Sequence, residues 1–113
     1  MALPLNVFKT ITKVATINPV GIYTAPVGYT GVVLLAQCAN ISNTTHTISF
    51  SHQRSISGIA VTTEILKDFA VQGNDSVSLL SGKLTLESND VLVLSASNAS
   101  NIKFIASVLE TLN

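Results

Sequence analysis

Ile22-Tyr23-Thr24-Ala25-Pro26-Val27-Gly28-Tyr29-Thr30-Gly31-Val32-Val33-Leu34-Leu35-Ala36-Gln37-Cys38-Ala39-Asn40 decides the fold class. It reads as a short extended piece, a proline–glycine turn and a long apolar strand ending at a polar residue. The spacing of Ala25-Pro26-Val27-Gly28 predicts a type I turn, with Pro26 at its second position and Gly28 at its fourth. Beyond it, Val32, Leu34, Ala36 and Cys38 fall on one face of an extended chain, and Val33, Leu35 and Ala39 on the other. A strand apolar on both faces is central to a core or covered by a partner.

The rest of the chain repeats this pattern. Runs of β-branched and aliphatic residues alternate with Gly, Asn, Asp and Ser clusters, and no stretch keeps helical spacing. Thr45 to Gln53 alternates, with Ile48 and Phe50 on one face together with His46 and His52. Arg54 to Gly58 reads as a loop. Ile59–Leu66 and Phe69–Gln72 read as two strands joined near Lys67-Asp68. Leu84 and Leu86 point inward on a strand that Ser88-Asn89-Asp90 turns back into a hairpin with Val91–Leu94. Ile102 to Leu109 is the last strand. The expectation is an all-β domain, an antiparallel two-sheet sandwich or jelly-roll-like fold of about eight strands. Residues 18–113 form that domain. Residues 1–17 are either a first strand or an N-terminal arm, because Pro4 confines the start to a sheet edge or a free segment.

Composition narrows the function. At 113 residues the chain is one domain. Charged residues make up 11% of it, against about 25% in ordinary soluble domains. Six acidic residues cancel six basic ones. So small and uncharged a molecule associates readily, and much of its surface is expected to lie against other subunits. No basic excess or aromatic–arginine stretch is present to hold nucleic acid. The apolar runs are too short to cross a bilayer, and the first residues lack a secretory pattern. Nucleic-acid and membrane partners are therefore not expected.

Chemistry-bearing residues are sparse. Cys38 is the single cysteine; mid-strand among apolar neighbours, it reads as a buried thiol. His46 and His52 are roughly 20 Å apart along one strand, too far to share a metal, and read as two rim histidines. No nucleophile elbow, oxyanion-hole glycines or calcium loop is present. The expectation is no enzyme, no catalytic residue, no cofactor and no metal, with Asp68, Asp75 and Asp90 stabilising turns.

Candidate interface residues are Leu3, Leu5, Val7 and Phe8 in the first segment, Ile105 and Leu109 on the last strand, and Arg54. The last is the only arginine, suited to bidentate pairing with a carboxylate on a neighbour. Leu35 and Val93 are further surplus apolar positions.

The order of the pieces resembles a small β-sandwich module of tailed-bacteriophage virion proteins. The marks are Tyr23-Thr24-Ala25-Pro26-Val27-Gly28-Tyr29-Thr30 followed by the apolar strand to Ala39, then Gly82-x-Leu84-x-Leu86, Asp90-Val91-Leu92-Val93 and a terminal apolar strand. Together they span Ile22 to Leu109. The resemblance implies a non-enzymatic structural subunit of the virion, made in the host cytoplasm. By size it looks like a capsid decoration or cement protein that binds as a homo-oligomer, such as a trimer, and to another virion protein such as the major capsid protein. A tail, neck or baseplate component is the alternative, and a receptor- or glycan-binding module a second.

Overall fold

A computed structural model describes residues 6–113, and every regular element in it is a strand. These are β1 (Asn6–Val14), β2 (Val20–Thr24), β3 (Tyr29–Asn40), β4 (His46–Ile56), β5 (Ile59–Val71), β6 (Asp75–Ser78), β7 (Leu84–Leu86), β8 (Val91–Ala96) and β9 (Ile102–Leu112). One sheet has the order β1-β9-β3-β6, with β7 also paired to β3; the other has the order β2-β8-β4-β5. All pairings are antiparallel.

The register reveals how the chain is laid out. Asn6 faces Thr111, Val20 faces Leu94, Gly31 faces Leu86, Gln37 faces Ser78, His46 faces Val71 and Ile56 faces Ile59. The polypeptide is thus one long hairpin whose tip lies at Ser57-Gly58, folded over into two layers. That is the jelly-roll arrangement. Folding over adds the β3–β9 and β4–β8 pairings. Among the described residues, every ladder joins a strand from before the tip to one from after it.

The two layers meet through alternate side chains. Ile48, Phe50, Leu92 and Leu94 face Val33, Ile102, Phe104 and Val108, all essentially buried. The Phe50 and Phe104 rings lie 5.6 Å apart at 38°, within the range of tilted aromatic pairs. Burying each such side chain contributes about 1.5–3 kcal/mol. Asn40 closes one corner: its side-chain amide donates to the carbonyls of Thr44 and Val71, and its oxygen accepts from Ser42.

Several local expectations are corrected. The register of β3 shifts between Val33 and Leu35. This bulge changes which parity points inward, so Val33, Ala36, Cys38 and Asn40 are buried while Leu35 and Gln37 are exposed. The first turn runs from Pro26 to Tyr29, closed by the Tyr29 N–H to the Pro26 carbonyl. Gly28 is its third residue with φ +84°, the positive φ that a type II turn demands there and a type I turn does not. β7 and β8 do not form a hairpin. Their turn crosses between layers, β7 pairing with β3 and β8 with β2 and β4. Ile59 to Val71 is one strand, and the expected break at Lys67-Asp68 is a bulge in it, where the Asp68 N–H donates to Ser49 Oγ. Arg54 lies inside β4, not in a loop. The true connection is the two-residue turn Ser57-Gly58, with φ +53° and +80°, the geometry of a type I′ hairpin.

Candidate functional site

The outer face of the five-stranded sheet is the principal candidate. On β9, residues 102, 104, 106, 108 and 110 point into the core, so Lys103, Ile105, Ser107, Leu109 and Thr111 point outward. Their cross-strand partners continue the face in rows: Phe8–Leu109–Val32, Thr10–Ser107–Leu35, Thr12–Ile105–Gln37 and Val14–Lys103–Ala39. Among these outward positions Lys103 is the only charged side chain; Lys9, Lys13 and Glu110 fall on the other face of their strands. Phe8 is 74% exposed, and Val14, Leu35 and Ile105 each stand about two-fifths in water. Contiguous apolar surface of this kind marks a contact site. Its lower end is hollowed into a groove of about 690 Å³, bordered by Thr12, Val14, Ala39, Lys103 and Ile105.

Of the sequence-derived interface candidates, Phe8, Ile105 and Leu109 come together on this face. Val7 does not: it faces Glu110 on the inner side of β1, because neighbouring residues of a strand point opposite ways. Leu3 and Leu5 lie outside the described residues. Arg54 is elsewhere. Leu35, reached by the β3 bulge, and Val14 join the face.

Arg54 finds its bidentate carboxylate within its own chain. Its Nε donates to Asp90 Oδ1 at 2.8 Å and its Nη2 to Oδ2 at 2.6 Å, with Glu87 Oε2 at 3.2 Å. His52 Nε2 lies 3.0 Å from Asp90 Oδ2, and the Glu87 backbone N–H donates to the same oxygen at 2.9 Å. His52 is therefore bound at the base of the hairpin and is not a free rim residue. Asp90 is buried, and the Arg54 bonds, then those of His52 and Glu87, hold its carboxyl well below the usual carboxylate range. A carboxylate so saturated stays ionised near neutrality, with both oxygens committed to these donors. The cluster fastens β4 to the β7–β8 turn, which itself bonds to Ala25 at the end of β2.

A second buried cluster lies between the layers. The Tyr23 hydroxyl donates to Glu110 Oε2 at 2.5 Å, and Lys9 Nζ is 3.2 Å from Oε1. Burial, then the Glu110 bond, pushes the Tyr23 phenol above its ordinary range. Burial likewise pushes the Cys38 thiol up to about 11, leaving it protonated and inert. Among the described residues no group of three His, Cys, Asp or Glu could hold a metal ion, and no helix is long and apolar enough to cross a membrane.

No protein-family model matches the sequence, and no curated protein matches it significantly. Solved structures do match by shape. A subunit of the disulfide-linked pili that are Bacillus endospore appendages aligns over 96% of this chain and 88% of its own, at 18% identity and TM-score 0.51. A chain from the acid-stable capsid of Helicobacter pylori bacteriophage KHP30 aligns over 96% and 89%, at 15% identity and TM-score 0.53. A chain of the infectious bursal disease virus particle aligns over 97% of this chain at 8% identity and TM-score 0.57; this chain spans 32% of that one. At these identities the likeness is one of fold.

Proposed function

We propose that this chain is a non-enzymatic structural protein of a virion, a capsid decoration or cement subunit that associates with copies of itself and with another virion protein such as the major capsid protein. The observation that carries this is the nearly uncharged outer face of the β1-β9-β3 sheet, with Phe8 at its edge almost fully in water. A soluble domain that stayed alone would gain nothing from such a face. The likeness to the KHP30 capsid chain supports a virion setting, because it spans nearly all of both chains. At about 25 cal/mol per Å², covering a standard interface of about 1,600 Å² suffices to hold a subunit, and repetition over a particle multiplies it.

The likeness to the endospore appendage subunit favours a filament subunit as the second reading. Disulfide linkage of that kind does not fit here, since the single cysteine is 2% exposed. Purified particles decide between them. Under the leading reading the protein co-sediments with capsids, and a Phe8→Ser/Ile105→Ser variant is lost from them. Filaments of the pure protein, with none on particles, would refute the capsid role.

A further inference from the structure

Among the described residues, β1, β2, β5, β6 and β7 each leave one edge without a neighbouring strand. Such edges invite further pairing, and proteins blunt them by shortness, bulges or charge. β6 and β7 have four and three residues. β2 has five, with a register shift beside Gly21. β5 is long, but its register with β4 slips twice and Asp68 stands at φ +51°. β1 differs from all of these: nine residues, Asn6 to Val14, run in unbroken register with β9 and include no proline or glycine. Lys9 and Lys13 are exposed even on its inward side, so the second layer stops short of its margin and leaves the edge open.

The Ala15 N–H donates to the Ile102 carbonyl at 2.8 Å, and this bond sets the phase of the β1–β9 ladder. In an antiparallel pair, alternate residues turn both backbone groups toward the neighbour. Val7, Lys9, Ile11 and Lys13 therefore bond to β9, while Asn6, Phe8, Thr10, Thr12 and Val14 turn theirs to the open side. We infer that this edge pairs with the same edge of a second copy of the chain, antiparallel about a two-fold axis at Thr10. In that register Thr10 faces Thr10 of the copy, Phe8 faces its Thr12 and Asn6 its Val14, so every outward-turned N–H and C=O finds a mate. The lysines select the register. With Thr10 on the axis, Lys9 stands opposite Ile11 and Lys13 opposite Val7. Sliding the axis to Lys9 sets Lys9 against Lys9, and sliding it to Ile11 sets Lys9 against Lys13; both put like charges directly opposite, which destabilises a sheet. An axis between residues opposes a turned-out residue to a turned-in one, and longer slides lose much of the ladder. The resulting contact is isologous, the commonest form of closed assembly. It also carries the apolar outer face across the axis, the row Val32–Leu109–Phe8 meeting Thr12–Ile105–Gln37 of the copy. The inference rests on the self-association proposed above and names the contact that makes it.

Thr10→Cys and Thr12→Cys variants of the full chain test the register. Two Thr10→Cys chains bring their thiols together at the axis, with Cα atoms about 5.5 Å apart, within reach of a disulfide. Diamide is expected to join them into a covalent dimer. Two Thr12→Cys chains hold theirs roughly 13 Å apart along the strands and are expected to stay unlinked. Native Cys38 is buried and adds no link. Thr10→Pro removes an N–H that β9 does not use, so it is expected to keep the wild-type melt yet sediment as an 11.9 kDa monomer where the wild type is a dimer. Thr10→Lys, which opposes two ammonium groups at the axis, serves if the proline variant does not fold. A monomeric wild type, which would leave the edge to a strand of another protein, overturns the inference. So does a folded Thr10→Pro or Thr10→Lys chain that still dimerises, or a Thr12→Cys chain that links as readily as Thr10→Cys. Particle binding is scored separately. A protein that joins capsids yet fails the linking test refutes only the β1 contact. One that links at position 10 yet ignores capsids refutes only the virion role.

Discussion

Replacing Phe8 by serine tests whether the outer face of the β1-β9-β3 sheet is covered in the working assembly. A phenylalanine offers about 200 Å² of surface, and Phe8 leaves 74% of its own exposed. About 150 Å² is therefore available to a partner, and covering it contributes about 3–4 kcal/mol at about 25 cal/mol per Å². Interfaces exclude water incompletely and a serine keeps some contact, so the expected loss is about 2–3 kcal/mol. That raises the Kd of self-association or particle binding about 30- to 150-fold. Because the side chain contributes little to the monomer's own packing, unfolding free energy is expected to move by less than about 0.5 kcal/mol. Dilution series followed by sedimentation give the first quantity, and urea unfolding of the dilute protein gives the second. A Kd that shifts less than about threefold, or a variant whose main defect is stability, would refute the reasoning.

Three further outcomes follow from the buried polar groups and the thiol. Asp90→Asn lowers stability near neutral pH. The native carboxyl lies below its unfolded value of about 3.9, so its contribution is complete above that pH and is lost as pH falls through the native value. Urea unfolding at two pH values should therefore show the difference between wild type and variant narrowing below about pH 4; a gap that is constant with pH contradicts this account of the cluster. Tyr23→Phe removes a buried hydrogen bond to a carboxylate and is expected to cost about 1.5–3 kcal/mol; an unchanged urea midpoint would show that Glu110 is satisfied without it. Cys38 is expected to resist thiol reagents in the native protein and to react at once in denaturant; rapid labelling without unfolding would contradict its burial.

The all-β class and the placing of most strands were legible because alternation records directly which faces are wet and which are dry. What escaped was whatever depends on a partner distant in sequence. A bulge leaves no compositional trace in Val33-Leu34-Leu35, where every residue is apolar, so the face to which Leu35 belongs could be read only from its pairing with Ser107. The turn after Leu86 looks like any hairpin turn until β3 takes β7 into the other layer. For Arg54 the sequence supplied the chemistry, a bidentate carboxylate, and missed the address: Asp90 lies 36 residues away, and nothing local joins the two. Phe8, Ile105 and Leu109 were each named as interface candidates, the last two as surplus apolar residues of a strand. Only the β1–β9 register showed that they share one surface and that Val7 does not.

The layout of the chain as one long hairpin has a consequence for its synthesis. While the ribosome has released only the residues up to Ser57, β1 to β4 lack their mates, since every pairing among the described residues joins them to segments still to be made. The emerging half can collapse but cannot build a ladder. Its four ribbons stay open to one another and to neighbouring nascent chains until the second half arrives, so assembly of the domain falls late in translation or after release.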